Sequence, residues 1–208
     1  MIAIIDYGAG NLQSVHKALD YIGAENFITA SKTEIEAADA VILPGVGSFG
    51  DAMDCLCRSG LLDTVKAAAL SDTPFLGICL GLQMLFGKSE ESEGVQGLSV
   101  FEGDVRRFPK EIGLKIPQIG WNSLDITPDC PLYRGVPNGA YVYFVHSYYL
   151  AAKHRENVAA TAEYGIRFDA SAADVSKNLY ATQFHPEKSG AVGLQILKNF
   201  AEMQKGVR

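Results

Sequence analysis

The segment Phe75-Leu76-Gly77-Ile78-Cys79-Leu80-Gly81-Leu82-Gln83 carries an apolar run into a cysteine bracketed by glycines two positions away on either side. This is the pattern of a nucleophile elbow with sulfur in place of oxygen. The flanking glycines remove side chains that would clash across a tight strand-to-helix turn, and the nucleophile projects above the sheet. A thiol so placed meets the positive end of the backbone dipole, which favours thiolate, and the N–H of Leu80 points to where an oxyanion would form. Free cysteines are often only small buried hydrophobes, so the reading needs a base. Gln183-Phe184-His185-Pro186-Glu187-Lys188-Ser189-Gly190 supplies one. In an extended segment residues two apart face the same way, so His185 and Glu187 are expected side by side, with Pro186 stiffening the turn between them. A carboxylate beside an imidazole fixes its tautomer and supports the imidazolium that pairs with thiolate. Read alone, the segment also fits a loop histidine before a helix, with Glu187 a first-turn charge.

The elements that must hold these groups alternate in the first part of the chain. Met1 to Asp6 reads as a buried strand, Asn11 to Ile22 as a helix ending near Gly23, and Asn26 to Thr29 and Ala40 to Leu43 as strands. Phe49 to Cys57 and Leu61 to Leu70 have helical character, and Phe75 to Ile78 feeds the elbow. Strands alternating with helices imply a parallel sheet with helices on both faces. Beyond Lys88 to Gly97, read as a charged surface loop, the pattern changes. Short β-like runs fill Val100 to Thr127, and Tyr141 to Leu150 is one β-prone aromatic run. Val158 to Glu163, Ile166 to Ala170 and Leu179 to Phe184 continue the strands, and Val192 to Met203 closes as an amphipathic helix. The expectation is a central, mostly parallel mixed sheet with antiparallel additions, in a single domain spanning 1–208.

Composition excludes several functions. With 208 residues, 48% hydrophobic, the chain can bury a real core. A net charge of -6 argues against nucleic-acid binding, which needs a basic face. No run approaches the ~18 apolar residues of a membrane span, and Met1 to Ile5 lacks the basic flank of a signal peptide, so a soluble cytoplasmic protein is expected. Cys55, Cys57 and Cys130 read as ordinary thiols without metal-type spacing, and no metal or cofactor is expected. Gly8-Ala9-Gly10-Asn11 is no dinucleotide fingerprint, because Gln13 stands where the third glycine belongs. His146 competes for the base role but has no neighbouring carboxylate, so a pocket-lining place suits it better. His16 and His154 receive no role.

Gly-Ile-Cys-Leu-Gly-Leu-Gln with a distal His-Pro-Glu resembles the triad-bearing class I glutamine amidotransferases over the full chain. Within that class, Asp6-Tyr7-Gly8-Ala9-Gly10-Asn11, Pro44-Gly45-Val46-Gly47-Ser48-Phe49, Ile119-Gly120-Trp121-Asn122 and Tyr143-Phe144-Val145-His146-Ser147-Tyr148 resemble the glutaminase subunits of imidazole glycerol phosphate synthases. Leu82 stands where methionine is common in these enzymes, a near volume-conserving change. The resemblance implies a three-layer, flavodoxin-like fold, with glutamine hydrolysed to glutamate and ammonia through a Cys79 thioester. It implies a triad of Cys79, His185 and Glu187, oxyanion donors at Leu80, Val46 and Gly47, and a glutamine pocket at Gly47, Gln83, Glu91, Ser147 and Tyr148. It further implies a heterodimer with a (β/α)8-barrel cyclase subunit, which uses the ammonia to make imidazole glycerol phosphate and AICAR phosphate in histidine biosynthesis. Asn11, Trp121, Tyr143 and Lys188 match positions at that interface. Read from residues alone, Gln83 also fits a solvated helix position, Glu91 a water-exposed acidic run, and Trp121 a core cap. The competing functions are a glutaminase subunit of another pathway such as pyridoxal phosphate synthesis, a cysteine hydrolase or redox sensor of the same architecture, and a non-catalytic assembly subunit.

Overall fold

The structure is a computed structural model and describes residues 1–203. In chain order its elements are β1 (Ile2–Ile5), α1 (Leu12–Tyr21), β2 (Asn26–Thr29), α2 (Lys32–Glu36), β3 (Ala40–Gly45), α3 (Phe49–Arg58), α4 (Leu62–Leu70), β4 (Phe75–Cys79) and α5 (Leu80–Met84). There follow β5 (Lys88–Ser89), β6 (Gly103–Arg107), β7 (Gln118–Ser123), β8 (Asp125–Ile126), β9 (Tyr141–His146), β10 (Tyr148–Ala152), β11 (Val158–Glu163), β12 (Arg167–Asp174), β13 (Leu179–Thr182) and α6 (Gly190–Met203). The main sheet runs β2-β1-β3-β4-β13-β12-β10-β6-β5. Its first five strands are parallel, in the order of a doubly wound flavodoxin-like sheet, and β12 and β10 extend it antiparallel. Among the described residues no helix is long and apolar enough to cross a membrane.

Three layers follow from the period-two alternation of buried strands. Ile2, Ile4, Ile42, Leu76 and Ile78 pack on one face with Val15 and Leu19 of α1 and Ile196, Leu197 and Phe200 of α6. Ile5, Val41, Leu43 and Phe75 pack on the other with Met53 and Leu56 of α3 and Val65 of α4. Parallel strands covered on both faces must be apolar throughout, which is why β1, β3 and β4 were legible as unbroken hydrophobic runs.

Three expectations need correction. The aromatic run Tyr141 to Leu150 is two strands broken at Ser147: β9 pairs only with β7 in a separate two-stranded sheet, while β10 joins the main sheet beside β6. The segment from Lys88 is not merely a solvated loop. Ser89 is buried, β5 pairs with β6, and the side chains of Glu91 and Ser92 reach the N-terminus of α3. Pro186–Lys188 is a 3-10 turn rather than an extended stretch, closed by Lys188 N–H donating to His185 O at 3.0 Å.

At the elbow, α5 is drawn tightly across the ends of β3 and β4. A Cβ on Gly81 would stand 1.9 Å from the carbonyl oxygen of Leu43, and one on Gly77 would stand 3.0 Å from the backbone of Gly81. Both obstacles are main chain in central elements, so nothing can swing aside. Gly81→Ala is expected to lower stability by about 2–4 kcal/mol. Calorimetry would read this as a fall in Tm of roughly 5–15 °C; an unchanged Tm would contradict the close approach.

Candidate functional site

Parallel strands deliver their carboxyl ends to one edge of the sheet, and ligands of open α/β sheets bind in the crevice outside those ends. Here β3, β4 and β13 lie side by side in register, Gly45 beside Cys79 and Thr182 beside Ile78. A cleft of about 360 Å³ opens above them, lined by the loop after β3, the elbow, β9 and β10, and the turn after β13. Of the residues expected in the pocket, Val46, Gly47, Cys79, Leu80, Gln83, Glu91, Ser147, Tyr148 and His185 all line it.

Cys79 ends β4 and begins the turn into α5 with φ 56° and ψ -107°. Positive φ on a residue with a Cβ is strained by about 1–3 kcal/mol and persists only where the surroundings enforce it. The Leu43–Gly81 contact provides that enforcement. His185, nearly fully buried, approaches from the turn after β13 and lines the same cleft as Cys79. Its Nδ1 lies 2.7 Å from Glu187 Oε1. The 3-10 turn, not strand alternation, brings the two together. Burial by itself lowers the His185 pKa, but the interactions with Cys79 and Glu187 outweigh it and push it up to about 10. The buried Glu187 carboxylate at Nδ1 thus favours the charged form of the ring. Glu187 Oε2 is buried with no hydrogen-bond partner among the described residues.

His146 differs in every respect. It is buried, Nδ1 donates to the carbonyl of Tyr148 at 2.7 Å, and the Gln118 side-chain amide lies 3.1 Å from Nε2. Burial, opposed by the bond to Tyr148 and reinforced by nearby His185, lowers its pKa to about 4. It is a neutral wall of the cleft.

The two polar pocket residues are buried or tied down, not solvated. Gln83, one turn beyond Cys79, donates from Nε2 to Tyr148 O at 3.2 Å and to Gln183 Oε1 at 3.0 Å. Glu91 Oε2 accepts from the N–H of Phe49 at 2.7 Å, so this carboxylate holds the first turn of α3 while lining the cleft. Gln183 was missed by sequence reasoning although it stands two positions before His185. Its amide nitrogen lies 3.9 Å from Cys79 Sγ.

The residues matched to an interface lie around the mouth. Trp121 and Tyr143 are cross-strand partners on β7 and β9 with ring centroids 6.2 Å apart, and Trp121 is 55% exposed. Lys188 lines the cleft itself, and Asn11 is the exposed cap of α1, which packs against the Pro186–Lys188 turn.

A strand-to-helix cysteine, a histidine–carboxylate pair in the same cleft and a doubly wound sheet define a triad amidotransferase architecture. A solved structure described as a glutamine amidotransferase has the same fold, with a TM-score of 0.74 at 18% identity and full coverage of both chains (100% each). The family model for class-I glutamine amidotransferases matches residues 3–203, and the chain belongs to that family. Its sequence is 52% identical over 202 residues to the imidazole glycerol phosphate synthase subunit HisH of Methanosarcina mazei, covering 97% of this chain and 98% of the relative. To the HisH subunit of Caldanaerobacter subterraneus it is 51% identical over 205 residues, 99% of each. Within the family the chain therefore falls among the HisH subunits.

The raised pKa of His185 has a sign that can be checked. A group whose pKa rises on folding contributes stability that is complete below its unfolded value, about 6.5, and is lost as pH climbs towards about 10. The stability gap between the wild type and His185→Gln, measured by urea unfolding, is expected to narrow across that alkaline window. A gap that widened with pH would contradict the raised pKa.

Proposed function

We propose that this chain hydrolyses glutamine at Cys79 and passes the ammonia to a cyclase subunit of imidazole glycerol phosphate synthase. The observation that carries the reading is the strained Cys79 sharing a cleft with a histidine whose far nitrogen is held by a buried carboxylate. Nδ1 of His185 is committed to Glu187, so Nε2 is the nitrogen left to serve Cys79. The thiolate attacks the side-chain carboxamide carbon, and the displaced electron pair settles on oxygen beside the N–H of Leu80 and the Val46–Gly47 backbone. Collapse of the tetrahedral adduct expels nitrogen, which takes the His185 proton and leaves as ammonia. Neutral His185 then draws a proton from water as its oxygen attacks the γ-glutamyl thioester. Glutamate departs, and the thiolate–imidazolium pair is restored.

Binding needs partners for both ends of a zwitterion. The two N–H groups of Gln83 are spent on Tyr148 and Gln183, which leaves its oxygen for the substrate. Glu91 keeps one carboxylate oxygen beyond its bond to Phe49 and is the group suited to the α-ammonium, while Gly47, Ser147 and Tyr148 close the pocket. Free ammonia is protonated in neutral water and loses its nucleophilic lone pair, so a glutaminase serving biosynthesis gains from direct discharge into an acceptor site. The names of the relatives are those of a subunit. Trp121 together with exposed Ile119 and Tyr141 gives the mouth an aromatic and apolar rim of the kind protein partners cover. We read that rim, with Asn11, Tyr143 and Lys188, as the docking face for the (β/α)8-barrel cyclase in a cytoplasmic heterodimer of histidine biosynthesis, whose products are imidazole glycerol phosphate and AICAR phosphate.

Glutamate release by the isolated chain is expected to be slow and to rise on adding the cyclase subunit and its nucleotide-derived ligand; the same rate with and without them would refute coupling. Cys79→Ala should remove release by at least about a thousandfold in the complex. Trp121→Ala should weaken association with the cyclase by roughly tenfold or more, read by titration calorimetry, and leave folding intact.

A further inference from the structure

Gln183 is wholly buried, and neither fold nor composition demands a polar side chain there. Its main chain is pinned on both sides: its own N–H donates to Ala170 O at 2.9 Å, and that of His185 donates to Tyr143 O at 3.0 Å. Since β13 runs parallel to β4 with Thr182 beside Ile78, the next position lies alongside Cys79. The side chain completes a chain of amides whose direction is fixed from one end. The carbonyl of Tyr148 can only accept, so Gln83 must present its Nε2 to it. The second N–H of that nitrogen then points to Gln183, which must answer with Oε1. That leaves the Gln183 amide nitrogen facing Cys79 Sγ at 3.9 Å. Turning Gln83 round would set acceptor against acceptor at Tyr148, and turning Gln183 round would set donor against donor at Gln83. We propose that Gln183 is a positioning residue that holds the Cys79 sulfur in its ionised, cleft-facing state, through an amide relay anchored on the Tyr148 carbonyl.

The physical case rests on polarity and direction. An N–H donor stabilises thiolate over thiol, and in a buried site the preference is not diluted by water. At 3.9 Å the contact is long, so the relay acts chiefly by fixing where the sulfur points. Gln83 belongs both to the relay and to the wall of the cleft, so the amide that faces the substrate and the amide that faces the nucleophile are held by one hydrogen bond.

The inference rests on reading Cys79 as the nucleophile, and the test separates the two. In the full chain, alkylation by iodoacetamide is followed against pH on the Cys79 peptide by mass spectrometry, with exposed Cys57 as internal reference. Gln183→Met keeps length and volume without the donor. The expected result is an upward move of the alkylation midpoint by about half to one pH unit, with alkylation of Cys79 about three- to tenfold slower at neutral pH and Cys57 unchanged. A folded Gln183→Met chain with the wild-type profile at Cys79 overturns the proposal. If that variant melts before it can be assayed, Gln83→Met cuts the relay at its anchor and should move the midpoint in the same direction; no movement there overturns it equally. Failure of the underlying reading has a different signature: wild-type Cys79 would alkylate no faster than Cys57, and glutamate release would survive Cys79→Ala.

Discussion

The carbonyl of Leu43 lies so close to Gly81 that a methyl group there would stand 1.9 Å away, and the geometry of the cleft descends from that contact. With α5 lying across β3, the chain has one residue in which to leave β4 and enter the helix, and that residue is Cys79 at φ 56°. The unfavourable backbone is held by the burial of Leu80, Leu82 and Met84 and of Phe49 and Met53 beneath them. The sulfur is thereby presented at the edge of the sheet with little freedom, and the loop after β3 is brought beside it: a Cβ on Gly45 would meet Gly81 N, Leu80 Cβ and the Tyr7 hydroxyl, each at 2.9 Å. Packing of ordinary apolar side chains thus sets the position of the reactive one.

Charge is arranged on the same economy. His185 and Glu187 are both almost entirely out of water, where an isolated charge would be costly and a paired one is strengthened. Glu187 spends one oxygen on His185 Nδ1, and the other has no donor among the described residues. A carboxylate with one strong donor concentrates its acceptor capacity on that bond, which fixes the orientation of the imidazole. Burial lowers the pKa of His146 in the same cavity, and its bond to the Tyr148 carbonyl only partly opposes this. Two histidines in one cleft are shifted in opposite directions, one by burial and one by its partners.

How much of this was legible in the sequence depended on whether the signal was local. The strands of the parallel half and the glycine bracket around Cys79 are local patterns, and they read correctly to within a residue or two. The pairing of His185 with Glu187 was anticipated, although a 3-10 turn rather than an extended segment achieves it, because Pro186 sits at the first position of such a turn as readily as in a strand. Gln183 was not legible, and Glu91 was placed in the pocket by the family resemblance rather than by its local pattern. Glu91 belongs to an acidic run that looks solvated, and only the fold brings it to Phe49 N–H, 42 residues away. Gln183 meets Gln83 across 100 residues. The break at Ser147 was hidden because β9 and β10 are equally β-prone, and only the choice of partner, β7 or β6, separates them.

That choice of partner matters for the site. By leaving the main sheet, β9 lies over the turn that carries His185, and Tyr143 is bonded to it twice through its main chain: its carbonyl accepts from His185 N–H at 3.0 Å, and its N–H donates to Ser189 Oγ at 3.0 Å. Ser189 Oγ in turn donates to His185 O at 2.6 Å, which closes a small ring of hydrogen bonds around the turn. The side chain of the same Tyr143 meets Trp121 on the exposed aromatic face, with Gly190 beneath that indole, where an added Cβ would lie 3.8 Å from it. One residue therefore joins the exposed aromatic face to the backbone of His185. A rigid hydrogen-bonded turn transmits displacement better than a flexible loop would, because no link in it can lengthen without exposing a buried donor or acceptor. The rim and the turn that carries His185 are in this sense joined through one strand.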